Sequence, residues 1–145
     1  MTALDQDRNT PRQEGDLRVS ALAAGVLAYA GAIMMRNAAG FLVAGQTATG
    51  LVGVGVAQER VDNSAGANGD LTAPYRGGVF RFANSAAADE ITIADIGGLA
   101  YAVDDQTVAK TDGTASRSPA GTIEGVDAQG VWVRFDEVLT ATAAA

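Results

Sequence analysis

The chain contains neither cysteine nor histidine. Those two absences exclude disulfide frameworks, thiol nucleophiles, Cys/His zinc sites and the commonest general base. No cofactor is expected. Lysine is nearly missing as well: Lys110 is the only one, and 10 basic side chains face 17 acidic ones, for a net charge of -7. A nucleic-acid surface needs clustered cations to displace phosphate counterions, so no contact with DNA or RNA is expected. Long apolar runs are lacking too. The most apolar stretch, residues 21–35, is broken by Gly25 and Gly31 and falls short of the roughly 20 residues of a spanning helix. The first 18 residues are polar and of mixed charge, unlike a secretory leader. Neither a membrane span nor a signal peptide is expected.

Glycine, by contrast, is abundant: 18 of 145 residues, against roughly 7% in an average protein. Glycine is costly inside helices, so this richness points to short strands and frequent reversals. A chain of this length fits one domain. We read residues 1–18 as an extended polar arm that orders on a partner, 19–138 as a β-rich body, and 139–145 as a frayed tail. The expected fold is all-β: a compact barrel or sandwich-like body of nine or ten short strands, preceded by the extended arm.

Within the body, Val26-Leu27-Ala28-Tyr29 and Ile33-Met34-Met35 read as strands around Gly31, with a return beginning at Phe41. Residues 51–56 alternate valine with glycine, which places Val52, Val54 and Val56 on one face and bare backbone on the other. Another backbone can pack closely against such a face. Residues 71–75 and 79–82 are expected to pair across Arg76-Gly77-Gly78, and residues 84–94 to form a loop with at most one helical turn. Hairpins are expected at Asp104-Asp105-Gln106 and at Asp127-Ala128-Gln129-Gly130. In the strand after the second turn, Val131, Val133 and Phe135 share an inward face, with Trp132 and Arg134 on the other.

Candidate chemistry is sparse. The glycines of residues 50–55 lack the Gly-Lys-Ser/Thr of a phosphate loop and the helix of a dinucleotide fold. The Asp62–Asp70 loop offers oxygen ligands for an ion, but without the calcium-hand spacing, and Asx-rich turns usually bond their own backbone. Asp104 and Asp105 point apart in a hairpin, whereas glycosidase carboxylates must converge. A Ser116–Lys110 dyad has nothing to desolvate its lysine. Two binding features stand out instead. The arm residues Asp7, Arg8, Asn9, Thr10, Pro11 and Arg12 suit hydrogen bonds and ion pairs with a partner, against the plain alternative of an inert terminus. Trp132, with Arg134 beside it, is either an exposed interface residue or part of a minor core.

Several segments taken in order resemble a family of small capsid decoration (head cement) proteins of tailed phages, found with Mu-like head modules. They are residues 7–15 (DRNTPRQEG), 29–32 (YAGA), 59–66 (ERVDNSAG), 78–85 (GVFRFANS), 101–109 (YAVDDQTVA) and 130–133 (GVWV). The likeness spans about residues 7–135, and no catalytic motif comes with it. It implies a virion protein made in the bacterial host cytoplasm, bound outside the expanded shell, commonly as a homotrimer. Its partners would be the major capsid protein and other copies of itself, which it clamps against internal DNA pressure. A second class, a head-fibre base or a tail or baseplate part, also uses Ala- and Gly-rich β chains. A third, a carboxylate hydrolase, would require two converging acids of raised pKa.

Overall fold

The computed structural model describes residues 2–13 and 15–145. Twelve strands appear in order: β1 (Leu17–Ala21), β2 (Leu27–Ala28), β3 (Ile33–Arg36), β4 (Leu42–Ala44), β5 (Val52–Ala57), β6 (Val61–Asp62), β7 (Thr72–Arg76), β8 (Gly78–Phe82), β9 (Leu99–Ala102), β10 (Val108–Ala109), β11 (Pro119–Asp127) and β12 (Gly130–Phe135). One helix, α1 (Glu137–Ala144), closes the chain, and two short 3-10 turns lie at Ala87–Asp89 and Ile93–Asp95. The strands form two five-stranded sheets, β1-β7-β5-β3-β4 and β10-β9-β11-β12-β8, with β2 and β6 pairing separately. Neither large sheet closes into a barrel, so the sandwich-like form of the expected fold is the one found. A single parallel bridge links the ends of each sheet's edges, Leu22 to Leu42 in the first and Ala83 to Thr107 in the second. Among the described residues no helix is long and apolar enough to cross a membrane.

The first sheet is covered on both faces. Ile33, Met35 and Val56 join the larger core with Phe82, Val131, Val133 and Phe135 of the second sheet. Met34, Val54, Ala73 and Tyr75 face the opposite way into a smaller core with Leu22, Leu42, and Ala28 of β2. Ile33, Met34 and Met35 are consequently all fully buried. A strand with apolar neighbours on both sides reads as a continuous hydrophobic run rather than an alternation.

The expected valine face of β5 is corrected by a bulge. Ile33 pairs with Val56 and Met34 with Gly55, but Met35 pairs with Gly53, leaving Val54 unopposed. One extra residue reverses the facing of what precedes it. Val54 therefore packs in the smaller core and Val56 in the larger. Each glycine then serves a different close approach. A Cβ on Gly53 would overlap the Ala120 carbonyl of the second sheet, and one on Gly55 would lie 2.6 Å from the Arg76 carbonyl. The bare positions are where the sheets and strands meet.

Three further expectations change. β7 and β8 do not pair: β7 joins β1 and β5, whereas β8 joins β12. Gly78, at φ +118, lets the chain pass from one sheet to the other instead of folding back on itself. Residues 84–94 hold a complete 3-10 turn and the start of a second. The tail expected to fray is helical. Asp136 caps α1 by accepting from the Leu139 N–H at 3.0 Å, Glu137 follows in the first turn, and Thr140 is wholly buried. The two hairpins at residues 104–106 and 127–130 form as expected.

Candidate binding surfaces

The described residues of the arm, 2–13, form neither helix nor strand. Every described residue from Thr2 to Gln13 is exposed. Its hydrogen bonds are local: the Arg8 guanidinium donates to the Thr10 hydroxyl at 2.9 Å, and the Thr10 N–H to the Arg8 carbonyl at 3.1 Å. Asp7, Arg8, Asn9, Thr10, Pro11 and Arg12 thus all present themselves to solvent. Leu4 is 73% exposed, an apolar side chain without a core to enter. The reach of the arm is two residues shorter than read from sequence, because Leu17 and Arg18 already belong to β1.

At its root the arm becomes the edge strand of the first sheet. The Asp16 carbonyl accepts from Gly77 N–H at 2.9 Å, and the Leu22 N–H donates to Leu71 at 2.9 Å. Even-numbered residues of β1 thus turn their backbone groups toward β7. By the alternation of an antiparallel ladder, Leu17 and Val19 turn theirs outward, whereas beyond them the strand end is bridged to β4 through Leu22 and Leu42. Val19 is 64% exposed. An edge of this kind is a template for another strand.

Arg36, at the end of β3, ties this region together. Its guanidinium donates to Glu137 at 2.8 Å, to the Ser20 hydroxyl at 3.0 Å, to the Gly40 carbonyl at 2.9 Å and to the Tyr75 hydroxyl at 3.0 Å. One side chain thereby joins β1, β3, β7 and the first turn of α1. Burial disfavours its charge, but the Glu137 and Tyr75 contacts outweigh that and raise its pKa. A cavity of about 250 Å³ lies alongside, with Asp16, Arg18, Tyr75, Phe135 and Glu137 in its wall. Sequence reading missed Arg36. The available signal was a lone cation ending a fully apolar strand.

The outer face of the second sheet carries the other candidate. Val131, Val133 and Phe135 are buried, while Trp132 is 37% exposed and Arg134 is exposed, which places Trp132 outside the core. Trp132 donates its indole N–H to Asp127 at 2.9 Å, and Arg81 lies over its ring at 5.4 Å. Arg134 pairs with Glu124. The Asp127 carboxyl is held below its ordinary range first by the indole hydrogen bond, then by the Gln129 N–H. Glu124 raises the Arg134 pKa. The indole is held by side chains of its own sheet.

The candidate chemical sites are engaged in local structure. In the Asp62–Asp70 loop, Asp62 accepts from Ser64, Asn68 from the Ala24 N–H and Asp70 from the Ala67 N–H. Asn63 is 2% exposed and donates to the Ala23 and Ala67 carbonyls. Among the described residues no group of three or more acidic side chains is placed to hold a metal. Asp104 accepts from the Gln106 N–H inside its hairpin turn. The Ser116 hydroxyl bonds Gly113, whereas the Lys110 ammonium lies 3.7 Å from Asp95, so that dyad does not assemble. The carboxyls of Asp62, Asp89 and Asp95 are all held below their ordinary range, principally by Ser64, Thr111 and Thr92 respectively.

No protein-family model, curated protein or solved structure matches the chain.

Proposed function

We propose that this chain is a virion structural protein: a decoration (cement) protein that binds the outer surface of an expanded tailed-phage head. The ordered resemblance supports that reading, as does one structural observation above the rest. The described arm residues, 2–13, are all exposed, and Gly15 and Asp16 lead into the edge strand of an all-β body. The arm would grip major capsid protein, and the Trp132 face with Arg134 would supply a second contact. Many modest contacts repeated over a shell add up through avidity. Self-association, commonly as a trimer in the family it resembles, would multiply the arms per particle.

The test is decoration of expanded shells that lack this protein. Removing residues 1–13 spares Asp16 and β1, so the body should keep its melting temperature. Shell binding should fall at least about tenfold, as expected when the main anchoring segment is lost. Unchanged affinity of the truncated protein would overturn the arm's role. A copy number in native particles that does not scale with capsid subunits would indicate a fibre or tail part instead.

A further inference from the structure

We infer that Asn68 is a latent deamidation site, closed in the folded protein by residues 22–25 and open to reaction only when that segment lifts away. Asn68-Gly69 is the one Asn-Gly pair in the chain. Both residues are exposed, so water reaches them. Glycine in second place favours cyclisation, because no Cβ screens the attacking nitrogen.

The reaction needs two movements. The Gly69 amide nitrogen must give up its proton to a solvent base and attack the Asn68 side-chain carbonyl carbon. A new C–N bond forms, the bond to the side-chain nitrogen breaks, and ammonia leaves with a proton from water. The cyclic imide then adds water at either carbonyl and opens to an aspartyl or an isoaspartyl linkage. The balance is one water taken up and one ammonia released.

Both movements are blocked. The Gly69 N–H donates to the Leu22 carbonyl at 2.9 Å, which holds the proton that must leave. The Asn68 Oδ1 accepts from the Ala24 N–H at 2.7 Å, which holds the carbon that must swing to the nitrogen. Two further bonds fasten the same segment to the loop: Asn63 Nδ2 donates to the Ala23 carbonyl at 2.9 Å, and the Gly25 N–H to the Gly66 carbonyl at 3.3 Å. Leu22, fully buried in the smaller core, anchors the segment. Deamidation at Asn68 therefore follows the local opening of residues 22–25 from the loop, and the population of the open form sets its rate. An isoaspartyl product cannot close again, because its extra backbone methylene keeps the two bonds from forming together. Each event also adds one negative charge to a chain already at -7.

Full-length protein held in mildly alkaline buffer, folded or unfolded in urea, tests this. Chromatography and mass spectrometry of its peptides resolve the asparaginyl, aspartyl and isoaspartyl forms of position 68. Conversion should be at least about tenfold slower folded than unfolded. Asp70→Ala removes the carboxylate that accepts from the Ala67 N–H at 2.9 Å and loosens the loop from its solvent side. Relative to its own unfolded rate, that variant should convert about threefold to tenfold faster than the wild type when folded. Purified isoaspartyl protein should melt below the wild type. Equal rates in folded and unfolded wild type would overturn the closure. A folded Asp70→Ala protein that converts no faster than the wild type would overturn loop opening as the controlling step, and equal melting of the isoaspartyl form would overturn its failure to close.

Discussion

The two sheets are equal in strand number but opposite in what surrounds them. The first is covered on both faces, by the second sheet on one side and by β2, β6 and Leu22 on the other. The second is packed on one face and carries Arg81, Trp132 and Arg134 on the other. Strand β3 shows the consequence as the apolar run Ile33-Met34-Met35, and β12 as alternation from Val131 to Phe135. The first sheet is the scaffold and the second presents side chains. A sheet that must fit neighbours on two sides has little freedom to vary, whereas a half-exposed face can be changed to suit a partner.

The strongest way to break this contrast is at glycine. Gly53→Val should destabilise by at least about 3 kcal/mol, the upper end of overpacking costs, because the new Cβ would overlap the Ala120 backbone. Gly125→Ala on the second sheet should stay within about 1 kcal/mol, since its Cβ would meet Trp132 at an ordinary 3.7 Å. Urea denaturation of both variants reads the difference directly. Equal costs would mean that the sheets do not differ in tolerance.

Core truncation comes next. Met34→Ala removes a fully buried side chain from the smaller core and should cost about 2–5 kcal/mol. Trp132→Ala, on the presenting face, should cost only about 1 kcal/mol, through its lost ring contact with Arg81. Should Met34→Ala prove as mild as Trp132→Ala, the smaller core would not be a true second layer.

Arg36→Met sharpens the contrast at the join between β3 and α1. It keeps the aliphatic stem and loses four hydrogen bonds, for about 1–3 kcal/mol after discounting for partial exposure. Amide hydrogen exchange should show Glu137–Ala144 released before the sheets. Protection of α1 unchanged in the variant would show that Thr140 and its neighbours dock the helix alone.

The smallest effect is that of acid. Asp62, Asp89, Asp95 and Asp127 have folded-state pKa values below their ordinary ones. Each therefore binds its proton more readily when unfolded, and its contribution is fully present above the unfolded value of about 4. It is lost as the pH falls through the lower folded values. Thermal melts should be flat above about pH 5 on this account and decline below about pH 4. A melting temperature that rose on acidification below that point would contradict the assigned turn and ion-pair contacts.

Much of the body was legible locally. The hairpin at residues 127–130 announced itself through an Asp-x-x-Gly turn between alternating strands, and Val131, Val133 and Phe135 turned inward as their period required. Close approach at Gly53 and Gly55 was readable as bare backbone, although the bulge that sends the two to different neighbours was not. A bulge depends on which residue the partner strand supplies, and β5 alone carries no record of that. The β7–β8 hairpin failed for a similar reason. Arg76-Gly77-Gly78 can reverse a chain or carry it across to another sheet, and the available partners decide. Helix α1 was obscured because Val138-Leu139-Thr140-Ala141-Thr142-Ala143 has no polar face to mark a period.

Composition by itself determined that this would be a glycine-rich β protein without thiol or imidazole chemistry, preceded by a polar segment with little apolar material to bury. Those properties belong to residues one at a time or to neighbours along the chain, so no fold is needed to state them. Only the tertiary structure decided that Met34 and Met35 would face different cores and that Arg36 would hold the last helix. Each of these depends on groups far apart in sequence, which only the packing of the sheets and the last helix brings together.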